Sequence, residues 1–175
     1  MDLDALLFDL TGLSDEEARE LARARYKELY LNRGRIGLHT AHDGEPVIFY
    51  ETQFDHAFFS DKDRGRYQSF EKKLLARERV ERMRWIGPLI AGKIPGSACW
   101  LVPREGVGYS PQRLYIIEAI PYVAWVKPKE TDPKGWSFVS AYPTYGAYLR
   151  DQLRKNRGSR RIHLVPKVSS ERKDG

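Results

Sequence analysis

Four histidines are present, His39, His42, His56 and His163, with one cysteine, Cys99. Imidazole titrates nearest to neutrality, so each histidine is a candidate proton donor or acceptor. A row of hydroxyls lies downstream at Ser137, Ser140, Tyr142, Thr144 and Tyr145, and Lys127 precedes it. Arg77, Arg79, Arg82 and Arg84 form a basic run between His56 and Lys127. A histidine, a set of cations and a row of hydroxyls suit the cleavage of RNA without a metal ion. RNA carries its own nucleophile, the 2′-OH. The protein then needs a base for that proton, an acid for the leaving 5′-oxygen, and donors for the developing phosphorane charge. DNA lacks the 2′-OH and cannot be cut by this route.

Other chemistries lack their residues. A zinc site needs three or four ligands; Cys99 is remote in sequence from every histidine, and His39 and His42 have no HExxH frame. No phosphate-binding GxxxxGK loop occurs, Gly106-Val107-Gly108 is too short for a dinucleotide fingerprint, and no GxSxG elbow exists. No metal and no cofactor are expected. One cysteine excludes an internal disulfide framework and points to a reducing cytoplasm. No stretch approaches the roughly 20 apolar residues of a membrane span, and Asp2, Asp4 and Asp9 do not make a secretory leader.

The elements that must position these groups follow from patterning. Ser14 and Glu17 have capping-box spacing, and a helix over 15–32 is expected, with Ala18, Leu21, Ala22, Arg25 and Leu29 on one stripe. Asp43-Gly44 marks a turn, Val47–Tyr50 a strand, and Phe54–Phe59 a helical turn with aromatic anchors. Residues 61–65 read as a polar break. Residues 67–91 carry the longest helical period, which Gly87-Pro88 should kink or end. Ala98–Val102 reads as a strand. Arg113–Ile120 reads as another, continued by Tyr122–Lys127 past an edge or bulge at Pro121. A turn at 132–135 sends Trp136–Tyr142 back as a hairpin, and a short helix over 145–156 follows. Trp85, Trp100, Trp125 and Trp136 are expected in the core or at its rim. Ser140 and Thr144 lie an even number of residues from Tyr142, so a regular strand puts all three on one face. The whole is an α+β architecture.

At 175 residues the chain fits one domain, and 41% hydrophobic residues can fill a core. The charge is uneven. Residues 150–175 hold nine basic and three acidic residues, whereas residues 1–149 balance at 21 of each. We expect a single domain over 1–150 and a basic C-terminal tail over 151–175. Such a tail suits a polyanionic partner or serves solubility alone. Arg79, Arg82, Arg150, Arg154, Lys155 and Arg157 are the RNA-binding candidates. The run at 77–84, interleaved with Glu78 and Glu81, also suits a solvated helix face.

Four segments together resemble a known group: Phe54-Asp55-His56, Glu78–Ile86 with Leu89-Ile90, Tyr122–Lys127, and Phe138–Thr144. They look like the phage-type branch of the barnase–EndoU–colicin–RelE superfamily, over about residues 45–150. The resemblance implies N-terminal helices packed on one face of an antiparallel sheet of four or five strands. It implies metal-independent RNA cleavage to a 2′,3′-cyclic phosphate. His56 then takes the helix-histidine position, Ser140, Tyr142 and Thr144 take the terminal-strand hydroxyl positions, and Lys127 is the phosphate-binding cation. RNA is the implied partner, with an antitoxin or immunity protein if the chain is a toxin. A second reading stays open, in which the same sheet and basic tail grip RNA or a protein without turnover, as a phage or prophage accessory protein would.

Overall fold

A computed structural model describes residues 1–32, 34–60, 74–103, 110–129, 135–155 and 158–166. The expected polar break at 61–65, the start of the long helical pattern and most of the 132–135 turn lie outside the described residues.

Helix α1 (Asp15–Tyr30) begins as its capping box requires. The Ser14 hydroxyl accepts from Glu17 N, and the Glu17 carboxylate accepts from Ser14 N at 2.8 Å. Its buried stripe is Ala18, Ala22, Tyr26 and Tyr30, four residues apart. Two tyrosines can lie there because their hydroxyls donate to Tyr50 O at 3.1 Å and Met83 O at 2.6 Å. After α1 the chain forms β1 (Ile36–Thr40) and β2 (Pro46–Tyr50), an antiparallel hairpin. β1 was not expected from patterning. Its Gly37 passes so close to the end of α1 that a Cβ there would fall 1.6 Å from Tyr30 O. Close backbone approach therefore selects glycine at that position.

Helix α2 (Gln53–Phe58) buries Phe54, Ala57 and Phe58. A two-residue ladder follows, β3 (Phe59–Ser60) against β4 (Leu74–Leu75). The single long helix expected over 67–91 is corrected. Its described part consists of β4, α3 (Arg77–Glu81), a 3-10 turn at Met83–Trp85 and α4 (Ile86–Ile90). The break falls before Gly87-Pro88, and Pro88 lies in the first turn of α4, where its missing N–H removes no helical bond.

Five further strands are β5 (Ser97–Val102), β6 (Gln112–Ile117), β7 (Tyr122–Pro128), β8 (Trp136–Pro143) and β9 (Arg160–Leu164). Helix α5 (Gly146–Lys155) joins the last two. The sheet has seven strands in the order β1-β2-β8-β7-β6-β5-β9. It is mixed, because β2 runs parallel to β8, pairing Val47 with Trp136 and Ile48 with Ser137. The expectation of four or five antiparallel strands is corrected accordingly. The chain returns to this sheet after a long excursion through α2–α4, so β2 and β8 need not alternate direction as hairpin strands do. β6 and β7 are two antiparallel strands, not one interrupted strand, and the bulge lies between Trp125 and Val126. β9 carries residues 160–164, from the segment expected as a tail, into the sheet beside β5.

The sheet is covered on both faces. The main core joins α1–α4 to Phe49, Tyr115, Tyr122, Ala124, Phe138 and Ala141. The opposite face has a smaller core of Val102, Leu114, Ile116, Val123 and Leu149, closed by Trp100, Trp125, Tyr142 and Leu153. Leu149 and Leu153 belong to α5, so the helices are not confined to one face. Burial on both faces explains why β6 reads as a continuous apolar run. Among the described residues no helix is long and apolar enough to cross a membrane.

The Phe49 ring stacks on Tyr30 at 4.6 Å and on Phe138 at 4.7 Å, with no exposed surface. Phe49→Ala is expected to cost about 4 kcal/mol of unfolding free energy, read as a lowered urea midpoint.

Candidate functional site

Beyond Ser137, β8 has no strand on its β2 side among the described residues; α2 and α3 pack against β8 instead. This sheet position gathers several of the expected groups. Ser140 pairs with Trp125, and Tyr142 with Val123, so both hydroxyl residues stand on the smaller-core face. Val80 of α3 belongs to the main core on the other face. Arg79 bridges the two. It donates to Ala57 O of α2 at 3.1 Å, and its guanidinium carbon lies 5.1 Å from the centre of the Tyr142 ring. A guanidinium over an aromatic face gains from the ring quadrupole and remains a fixed positive charge.

Of the basic run, Arg79 is the residue that meets the hydroxyl strand. Arg82 turns back, donating to Glu78 O at 2.8 Å and lying 5.4 Å from the Trp85 ring centre. Arg84 sits over Phe8 at 4.1 Å, and Arg77 pairs with Asp15 at 2.9 Å. Arg82 is thus engaged within its own segment and does not reach Tyr142 as Arg79 does.

The remaining expectations divide. His56 is exposed on α2, one residue before the carbonyl that holds Arg79, and its side chain makes no hydrogen bond or ion pair among the described residues. Tyr142 accepts from Trp125 Nε1 at 3.1 Å. Burial, with Tyr148 of α5 adding to it, raises the Tyr142 phenol above its ordinary range, so it stays a neutral donor. Ser140 is buried at 7% exposure and offers no surface to a ligand. Thr144 lies past the end of β8, where its N–H donates to Pro121 O at 2.8 Å. Lys127 is exposed but pairs with Ser137, at the end of the hairpin away from Tyr142. Arg150 and Arg154 are exposed on α5, which ends at Lys155, and Arg157 lies outside the described residues.

A second cluster joins residues that spacing did not connect. The His42 and His163 rings lie 4.3 Å apart, and His42 Nδ1 shares a hydrogen bond with the Tyr115 hydroxyl at 3.1 Å. Gly92, at φ +65°, lies just past α4 against both histidines; a Cβ there would come within 2.9 Å of His163 Nε2 and of His42 Cβ. Beside them Arg113, 6% exposed, binds Asp43 at 2.5 Å and Glu45 at 2.8 Å. Its guanidinium covers Trp136 at 4.0 Å, and Trp136 Nε1 donates to Glu45. Burial lowers the His42 imidazole below its usual value; His163 and Arg113 add to this, while Asp43 and Glu45 oppose it. Burial also pushes the Cys99 thiol up to about 12, which makes it inert. Only sequence proximity of His42 to Asp43 and Glu45 hinted at this cluster, because its other members come from β6, β8, β9 and the turn after α4. With the Arg113 charge matched by two carboxylates and His42 tied to Tyr115, the cluster binds its own elements together and leaves no cation for a phosphate.

Comparisons with family models, with curated proteins and with solved structures each returned no match.

Two outcomes follow from the second cluster. The lowered imidazole of His42 means the unfolded chain binds the proton more readily. Its contribution is complete above the unfolded value of about 6.5 and is lost as pH falls below it. Urea midpoints should therefore decline below about pH 6.5, and His42→Asn should flatten that decline. Arg113→Ala should cost about 3 kcal/mol in the same assay, because it strands two partly buried carboxylates.

Proposed function

We propose that this protein is a metal-independent endoribonuclease, cleaving RNA by 2′-OH attack to leave a 2′,3′-cyclic phosphate. The observation that supports this most is the position of Arg79, fixed between the Ala57 carbonyl and the Tyr142 ring beside the helix of His56. Phosphodiester cleavage of this kind concentrates negative charge on the phosphorane oxygens, and a pre-positioned guanidinium stabilises that charge at no cost in reorganisation. The neutral Tyr142 phenol is a second donor to the same oxygens. His56, with its imidazole in solvent, is the group to exchange a proton with the 2′-OH or the leaving 5′-oxygen. Lys127 and Ser140 play no part in this arrangement, given the far end of the hairpin for one and burial for the other. Exposed Arg150 and Arg154 on the following helix extend the positive surface along the substrate.

A binding module without turnover is the second reading, favoured by the exposed cations of α5. If the enzyme acts as a toxin, its inhibitor would be a protein covering this edge of β8.

The test is incubation of wild type, His56→Ala and Arg79→Ala with total RNA in EDTA, followed by mapping of product ends. Wild type should leave cyclic phosphate ends, and each variant should be slowed by about 10²- to 10³-fold with its melting temperature little changed. Equal cleavage by all three proteins, or loss of wild-type cleavage in EDTA, overturns the mechanism. Binding of RNA with no cleavage by any of them leaves the binding module.

A further inference from the structure

Tyr145 is 82% exposed and Tyr148 45% exposed, whereas Tyr26, Tyr30, Tyr115 and Tyr122 are almost fully buried. Tyr145 immediately precedes α5, and Tyr148 lies in its first turn. The helix is oriented by its other side: Leu149 and Leu153 pack into the smaller core, and Leu149 N donates to Tyr145 O at 3.0 Å. Tyr148 is thus carried by a seated helix, and the backbone of Tyr145 is tied to its first turn. Tyr148 interacts with Tyr142, whose ring also meets Arg79. Arg150 folds back over the same turn, its Nη1 lying 3.5 Å from where a Cβ on Gly146 would sit. Arg154 continues the positive face at 78% side-chain exposure, next to Asp151 at 3.1 Å.

We propose that Tyr145 and Tyr148, flanked by Arg150, form a stacking platform for unpaired bases of single-stranded RNA. An exposed phenol ring gains little from water and can cover a base face, while the neighbouring guanidiniums meet the backbone phosphates. Bases inside a duplex are already stacked and cannot lie on such rings, so the ligand class is a single strand. The adjoining positive charge favours a polyanion over an apolar protein surface. The proposal rests on the reading of this edge as RNA-handling, and it assigns the substrate's strandedness, which that reading leaves open.

The probe is a short, fluorescein-labelled, 2′-O-methylated single-stranded oligoribonucleotide, whose blocked 2′-oxygen prevents cleavage. Anisotropy titrations over a range of salt give affinity and salt slope. Tyr145→Ala should weaken binding by roughly 10-fold and leave the salt slope unchanged, since no phosphate contact is lost. Tyr145→Phe should bind within about twofold of wild type, because stacking needs the ring and not the hydroxyl. Arg150→Ala should lower the salt slope by about one. The same sequence annealed into a duplex should bind more weakly and be indifferent to Tyr145→Ala. Wild-type affinity in Tyr145→Ala, equal losses in the Ala and Phe variants, or equal sensitivity of the duplex each overturn the platform. Because the probe cannot be cut, a chain that binds as expected but never cleaves RNA keeps the platform and loses the nuclease.

Discussion

Two residue pairs, Val47–Trp136 and Ile48–Ser137, are the whole described ladder between the β1–β2 hairpin and the rest of the sheet. So short a ladder holds poorly alone, and the aromatic stack of Tyr30, Phe49 and Phe138 supplies the packing that keeps it aligned. The stack connects α1, β2 and β8 through the main core. Its consequence reaches further than stability. Because β2 leaves β8 after Ser137, α2 and α3 can pack where a longer strand would have lain. Arg79 then passes from the helical layer to a tyrosine on the opposite face. In a sheet where β2 continued along β8, that contact would be blocked by backbone.

The two halves of the molecule use charge differently. At the β1–β2 turn, Arg113, Asp43, Glu45 and Trp136 satisfy one another, and the paired imidazoles of His42 and His163 tie the last strand to the first hairpin. Groups matched in this way hold a fold together and are poorly available to a ligand. Around β8 and α5 the arrangement is open. Among the described residues Arg79 is partnered by a carbonyl and a ring, neither of which neutralises it, and Arg150 and His56 face solvent. An unneutralised cation beside exposed aromatics is the more suitable setting for an anionic substrate.

Patterning read the strands and hairpins of the second half well, since β5, β7 and β8 alternate or run apolar over lengths typical of strands. It read α1 from its cap, yet missed Tyr26 and Tyr30 as core, because a tyrosine is buried only where a carbonyl waits for its hydroxyl. The long apolar period over 67–91 misled for a related reason. Each of Val80, Met83, Ile86 and Ile90 is buried, but by several short elements and not by one helix. Periodicity reports which residues are covered and does not report continuity. β1 and β9 escaped notice because edge strands expose most of their side chains and carry little apolar signal.

By itself the sequence determined the residue inventory: imidazoles, hydroxyls and arginines without a metal-binding or nucleotide-binding motif, and an excess of positive charge gathered after residue 149. It also determined the capping of α1 and the β7–β8 hairpin, because both depend on neighbours a few residues apart. Only the tertiary structure decided which arginine meets Tyr142, that Ser140 is buried, that Lys127 lies at the opposite end of the hairpin, and that the His42 ring meets that of His163. Those facts depend on strand order and on a bulge in β8, and both are set by burial of apolar surface between elements far apart in the chain. Local spacing carries no record of such contacts.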